Sequence, residues 1–128
     1  MVTAVTPQNG TVNRQYKSSI FAMLFSDRRE LLKLYNAVNG TSYTDPELLT
    51  VNTLENAIYM VVKNDVSFLI ADVMNLYEHQ SSWNPNMPLR GLLYISMLYQ
   101  GFIEQNHLDI YSSTLLKLPV PKYVVFYN

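Results

Sequence analysis

The chain has 128 residues, 48% of them hydrophobic, and a formal net charge of −1 at pH 7. This length and composition predict one packed domain, and the near-neutral charge argues against strong nonspecific binding of nucleic acid through a basic surface. The sequence contains no cysteine, which excludes a disulfide scaffold, a zinc site with thiolate ligands and a cysteine nucleophile.

The N-terminal part of the chain is polar. It lacks the charged and then apolar pattern of a signal peptide, and the sequence contains no apolar run long enough to span a bilayer. We therefore expect a cytoplasmic protein without membrane contact. Residues 1–17 have no hydrophobic period, which predicts a flexible arm in front of a domain that covers residues 18–128.

The first helix is predicted after a short apolar segment at residues 20–25, which we expect to form a buried helical turn. Asp27 and Glu30 have the spacing of a helix-capping pair, and Asn39-Gly40 is a typical helix end. Between them, apolar residues recur at the helical positions i, i+3, i+4 and i+7, namely Leu31, Leu34, Tyr35 and Val38. This pattern predicts one amphipathic helix.

Three strand candidates follow in the middle of the chain. We read residues 41–56 as a connection with a turn at Asp45-Pro46, residues 57–62 as a strand, and residues 63–70 and 73–80 as the two strands of a β-hairpin. A two-residue turn at positions 71 and 72 fixes which residues are opposite each other. The predicted pairs are Ile70 with Val73, Phe68 with Asn75, Val66 with Tyr77, and Asp65 with Glu78.

This register places polar side chains together on one face of the hairpin. Opposed residues share a face, and side chains alternate along each strand, so Lys63, Asp65, Glu78 and Gln80 form a cluster while His79 points to the other face. Two opposed carboxylates repel each other unless a positive charge lies between them. A hard divalent cation fits such a site, although the two acids can also be solvated residues at the open end of the hairpin.

The last third of the chain supplies one more helix and one more strand. A helix from about Pro88 to about Glu104 has a broad apolar surface, so we expect it to be largely buried. Residues 122–127 form a final strand. The chain ends at Asn128 directly after it, which suggests a truncated protein. The predicted order is helix, three strands, helix, strand, which defines an α/β (α+β) fold.

Specific residues within this order form a recognisable pattern. The segments are Leu76-Tyr77-Glu78-His79-Gln80-Ser81, Asn86-Met87-Pro88-Leu89-Arg90 and Leu93-Tyr94. They resemble the signature of the Rpn (recombination-promoting nuclease) or YhgA-like transposase family, which belongs to the PD-(D/E)XK nuclease superfamily. The resemblance implies a restriction-endonuclease-like core with a mixed central sheet flanked by helices. It also implies that the full protein extends beyond this core.

The resemblance further implies the positions of the site. The family has an aspartate at the start of the second strand, Glu-X-Gln on the third strand, and Arg and Tyr on the following helix. The matching positions are Asp65, Glu78, Gln80, Arg90 and Tyr94. Metal ligands would be Asp65, Glu78 and the backbone carbonyl of His79. Glu30 on the first helix is an accessory candidate, with helix capping as its alternative role.

The expected activity is that of a Mg²⁺- or Mn²⁺-dependent DNA endonuclease tied to recombination or mobile elements. Two carboxylates suffice for Mg²⁺, Gln80 would orient the attacking water, and Arg90 and Tyr94 would contact DNA. Glutamine replaces the usual lysine, and Lys63 is our candidate for restoring the positive charge. The alternative is a catalytically inactive nuclease-like fold that serves as a protein or DNA interaction module. A homo-oligomer is left open.

Overall fold

A computed structural model describes residues 20–51 and 65–127 of the chain. The predicted flexible arm, the strand over residues 57–62 and the proposed role of Lys63 lie outside the described residues. Within the described part, no helix has the length and apolar character needed to cross a membrane.

The described helices are α1, over residues 20–24, α2, over Arg28–Asn39, and α3, over Met87–Gln105. The expectation of a buried turn at residues 20–25 is wrong, since Met23 is 70% exposed. Local sequence signals account for both ends of α2. The Asp27 side chain accepts a hydrogen bond from the backbone N–H of Arg29 and caps α2. Gly40 ends α2 in the left-handed conformation with φ of 65°. Both ends of the predicted amphipathic helix are therefore confirmed.

The described residues form a mixed sheet of four strands. The strands are β1 (Thr50–Val51), β2 (Val66–Ile70), β3 (Val73–Gln80) and β4 (Val120–Tyr127), and they lie side by side in that order. The pairs β1 with β2 and β2 with β3 are antiparallel, whereas β3 and β4 are parallel. This confirms a mixed sheet with helices, the coarser part of the predicted fold class.

The hairpin formed by β2 and β3 has the register that the sequence predicts. Val66 lies opposite Tyr77, Phe68 opposite Asn75, and Ile70 opposite Val73. The connecting residues Ala71 and Asp72 both have positive φ, at 49° and 60°. Turns of this kind match the right-handed twist of the flanking strands, so two residues suffice to connect them.

The segment before the hairpin contains a strand that the sequence reading missed. Pro46–Leu48 forms a single 3₁₀ turn capped by the Asp45 side chain, as its turn signals predict. It is followed by β1, which pairs with β2 although the region was predicted to be a connection only. A strand of two residues is too short to produce an alternating hydrophobic pattern.

The sheet separates two hydrophobic clusters. On one face, α2 packs its apolar side against alternate residues of β2 and β3, and the buried residues are Leu31, Leu32, Tyr35, Leu49, Val66, Phe68, Ile70 and Tyr77. On the other face, Ile95 and Leu98 of α3 pack against Met74 and Leu76 of β3. β3 is thus buried on both faces, and its side chains point alternately towards α2 and α3.

The prediction that α3 is largely buried is wrong. Leu89, Leu92 and Leu93 are 56%, 65% and 55% exposed. The helix packs along a single stripe at helical spacing, formed by Met87, Gly91, Ile95, Leu98 and Gly101. The remaining leucines lie on the outer side of the helix, because the sheet contacts only one face.

A buried carboxylate cluster as the candidate functional site

Glu78 lies near the end of β3 and is 1% exposed. Its side chain points to the α3 side of the sheet. The next residue, His79, points to the other side, where its ring centroid lies 5.7 Å from that of Phe21. This alternation agrees with the prediction that His79 turns away from the carboxylates. A carboxylate removed from water in this way needs hydrogen-bond donors to replace its solvation.

Three described side chains from three elements donate to Glu78. Gln80 Nε2, on the same strand, lies 2.7 Å from Glu78 Oε1. Arg90 Nη2, on α3, lies 2.5 Å from the same oxygen and forms an ion pair with it. The Tyr123 hydroxyl, on β4, donates to Oε2. Both carboxylate oxygens are therefore engaged, two of the donors being neutral and one charged.

Asp65 precedes β2 by one residue, next to the Val66–Tyr77 pair, so the hairpin brings it beside Glu78. Burial and the charge of Glu78 together raise the pKa of Asp65 to about 7, and the Arg90 guanidinium opposes this rise. Two acids thus share one positive neighbour. The site carries more negative than positive charge when Asp65 is ionised, which favours the arrival of a further cation.

Arg90 is held on several sides in the first turn of α3. Its guanidinium carbon lies 5.8 Å from the centre of the Tyr94 ring, and Nη1 lies 3.4 Å from the Met87 sulfur. Burial alone would lower the pKa of Arg90, but the hydrogen bond to Tyr94 and the charge of Glu78 outweigh it and raise the pKa. Arg90 is therefore positively charged, and its side chain remains 34% exposed.

Tyr123 is a site residue for which sequence reasoning gave no role. It lies on β4 opposite Leu76, and burial, the hydrogen bond to Glu78 and the charge of Glu78 raise the pKa of its hydroxyl. The parallel pairing of β3 with β4 joins residues that are far apart in the sequence, so no local pattern reveals it. Gly91 inside a helix is a signal at this contact, since glycine permits the close approach of another group.

One predicted accessory residue, Glu30, does not join this cluster. Glu30 Oε1 lies 3.2 Å from Lys33 Nζ, in an exposed ion pair on α2. Across residues 20–51 and 65–127, no three side chains of His, Asp or Glu come together in a way that could hold a metal ion. Glu30 is therefore separate from Asp65 and Glu78, and Lys63 falls outside the described residues.

Comparison with protein-family models found no match, and neither did comparison with curated proteins or with solved structures. The likeness to the Rpn family consequently rests on the motif residues themselves. The site has to be interpreted from its own geometry.

Proposed function

We propose that this domain hydrolyses phosphodiester bonds in DNA, with Mg²⁺ or Mn²⁺ held by Asp65 and Glu78. The supporting observation is that Asp65, Glu78, Gln80 and Arg90 form one cluster at the end of the hairpin. Two acids, an amide and a guanidinium are suited to binding a cation, a water molecule and a phosphate, respectively. The resemblance to the Rpn family extends the proposal to DNA as the partner and to a role in recombination or mobile elements.

The donor set fits a hard divalent cation. Mg²⁺ prefers oxygen ligands and uses one or two protein carboxylates together with water and phosphate oxygens. Burial raises the pKa of Asp65, and the neighbouring charge of Glu78 raises it further. A cation between the two carboxylates would relieve the repulsion between them. Because both oxygens of Glu78 already accept hydrogen bonds, the ion would replace the positive charge of Arg90 at this carboxylate.

When bound, such an ion would lower the pKa of a coordinated water and polarise the phosphate. Gln80 would position the water, because its amide both donates and accepts hydrogen bonds. Arg90 would turn its guanidinium from Glu78 to the phosphate, where its planar donors can bind two oxygens at once. Tyr94, which lies under the guanidinium, would limit that movement. A ligand role for the His79 carbonyl stays a prediction.

The test uses two matched hairpin variants in a plasmid-nicking assay with Mg²⁺. Asp65→Asn removes the proposed ligand while keeping the shape of the side chain. Asp72→Asn makes the same chemical change at the exposed turn of the same hairpin. We expect wild type and Asp72→Asn to nick the plasmid, and Asp65→Asn and chelator-treated wild type to be inactive.

The opposite result would remove this mechanism. If Asp65→Asn nicks as fast as Asp72→Asn in protein of equal folded content, Asp65 is not a metal ligand. All variants should be purified by one protocol, and the nicking rate of each should also be measured without added metal. These two controls would identify a contaminating nuclease.

A second candidate function is favoured by one specific observation. Glu78 has both oxygens satisfied by protein donors, so the cluster is self-sufficient as a structural element. A catalytically inactive nuclease-like module that binds DNA or protein would have such a site. It should show no rise in Tm with millimolar Mg²⁺ or Mn²⁺, whereas a metal-binding nuclease should show a rise that Asp65→Asn reduces.

A further inference from the structure

The ring of Tyr123 lies directly against the backbone of Gly91. A Cβ atom at position 91 would lie 2.3 Å from Tyr123 Cδ2 and 2.6 Å from Cε2, distances at which atoms overlap. Any larger residue at this position would therefore push the ring away. Glycine inside a helix is destabilising relative to alanine, and the close contact with Tyr123 is a reason for its presence here.

The strand register directs Tyr123 towards the carboxylate. Tyr123 is paired with Leu76, and Val125 is paired with Glu78 two residues further along. Two residues along a strand span about 7 Å, which a tyrosine side chain leaning along the strand can cover. The hydroxyl thereby reaches Glu78 Oε2. Arg90 and Gln80 both donate to the other oxygen.

We propose that Tyr123, seated against Gly91, is a positioning residue that fixes the orientation of the Glu78 carboxylate. This inference rests on the proposed function, since it concerns how Glu78 presents itself to a divalent cation. With Oε2 held by Tyr123, rotation of the carboxylate is restricted and Oε1 faces Arg90 and Gln80. Hydrogen-bond partners of metal ligands act in this way, and their loss typically weakens metal affinity or activity about 10- to 100-fold.

The principal test is Tyr123→Phe, which removes the hydroxyl and keeps the ring. Its matched control is Tyr99→Phe on α3. Tyr99 packs in the same hydrophobic cluster, but its hydroxyl donates to the backbone carbonyl of Pro119. Both variants lose one hydroxyl hydrogen bond and keep the aromatic ring. We expect the dissociation constant for Mn²⁺, measured by titration without DNA, to rise about 10- to 100-fold for Tyr123→Phe only.

Kinetics of plasmid nicking provide a second readout. Because Tyr123 does not contact the substrate in the proposed site, saturating DNA should not restore the rate of Tyr123→Phe. The loss should therefore appear in kcat at subsaturating Mn²⁺, with KM for DNA unchanged. A merely structural role would lower the folded fraction and leave the Mn²⁺ dissociation constant of the folded protein as in Tyr99→Phe.

Gly91→Ala tests the same contact from the helix side. The added methyl should displace the ring and weaken Mn²⁺ binding although no polar group is removed. If the two changes act through one hydroxyl, Gly91→Ala combined with Tyr123→Phe should bind Mn²⁺ no more weakly than Tyr123→Phe alone. Additive losses of affinity would overturn the coupling between Gly91 and Tyr123.

The outcomes separate this inference from the proposed function. If wild type binds Mn²⁺ and nicks DNA but Tyr123→Phe equals Tyr99→Phe in both respects, the positioning role is wrong and the proposed function stands. If wild type binds no Mn²⁺ and does not nick DNA, both are wrong. A selective loss of affinity in Tyr123→Phe supports both.

Discussion

At the scale of single residues, the ion pair of Arg90 with Glu78 should dominate the stability of the site. Removing Arg90 leaves a carboxylate that is 1% exposed without its charged partner. Breaking a buried pair typically costs about 3–5 kcal/mol. The Arg90 side chain is 34% exposed, so we expect Arg90→Gln to lower the free energy of unfolding by a smaller amount, about 2–3 kcal/mol. Urea unfolding at pH 7 measures this.

Arg28→Gln is the matched control for this prediction. Arg28 forms an ion pair of 3.1 Å with Glu47, and both side chains are exposed. Such surface pairs contribute about 0–1 kcal/mol, so this variant should stay close to wild type. Equal losses of unfolding free energy in the two variants would contradict the view that burial of Glu78 makes its ion pair with Arg90 more stabilising than a surface pair. Under the proposed function, Mg²⁺ should also raise the Tm of Arg90→Gln more than that of wild type.

Asp65 gives a prediction about pH. Its pKa is about 7 in the folded protein, because of burial and of the charge of Glu78, against an ordinary value of 3.8. Between these two values the folded state keeps a proton that the unfolded state has lost. The folded state is therefore favoured at the acidic end, and this contribution to stability is lost as pH rises towards 7 and beyond.

We expect Asp65→Asn to be more stable than wild type at pH 8 and to lose that advantage at pH 5, since the amide carries no charge at either pH. Thermal unfolding in metal-free buffer across this range tests the prediction. The Tm of Asp72→Asn, changed at the exposed turn, should depend on pH as that of wild type does. If the Tm of Asp65→Asn depends on pH as steeply as that of wild type, another group causes the pH dependence.

Local sequence patterns predicted where the acidic residues of the site lie, but they did not predict which side chains contact them. Strand alternation and hairpin register placed Asp65, Glu78 and Gln80 on one face, and the structure gives the same register. Arg90 was assigned to phosphate, whereas it pairs with Glu78 in the structure. That contact and the one from Tyr123 depend on how α3 and β4 pack on β3, which sequence spacing does not encode.

At the scale of elements, substitutions in the hairpin turn should stabilise the protein. Ala71 has φ of 49° and Asp72 has φ of 60°, in a region that costs a residue with a Cβ roughly 1–2 kcal/mol. Asn-Gly is the preferred sequence for a two-residue turn of this type. We expect Ala71→Asn combined with Asp72→Gly to raise the free energy of unfolding by about 1 kcal/mol, measured by urea unfolding.

Gly40→Ala is the complementary control. Gly40 ends α2 with φ of 65°, and nothing lies within 4 Å of an added Cβ, so the substitution adds backbone strain without a clash. It should destabilise the protein by about 1 kcal/mol. Stabilisation by both changes, or by neither, would contradict the assignment of strain to these backbone angles.

Elements with strong local signals were predicted well, and those shaped by packing were not. Asp27 and Gly40 bound α2, and the two-residue turn set the hairpin, because capping and turn chemistry act over a few residues. The strand β1 exists through its pairing with β2. The exposure of Leu92 on α3 likewise depends on which side of the helix the sheet covers, since apolar residues occur all around it.

At the scale of the whole molecule, β3 contacts the helical layers on both faces of the described sheet. It pairs with β2 on one side and β4 on the other, contributes to the hydrophobic clusters on both faces, and carries Glu78. The site therefore forms only when elements distant in sequence have assembled. The local free energy of unfolding should therefore be uneven, highest in β3 and lowest in the short strand β1 at the edge of the described sheet.

Hydrogen exchange can test this distribution of stability. Amides of β3 should exchange only through global unfolding, at least about 100-fold more slowly than those of β1, which pairs over two residues at the sheet edge. Under the proposed function, added Mg²⁺ should slow exchange in β4 as well as in β3, because the Tyr123 hydroxyl on β4 holds the carboxylate of Glu78 on β3. Uniform protection across the sheet would contradict the central role of β3. A metal effect confined to one element would contradict the coupling through Glu78.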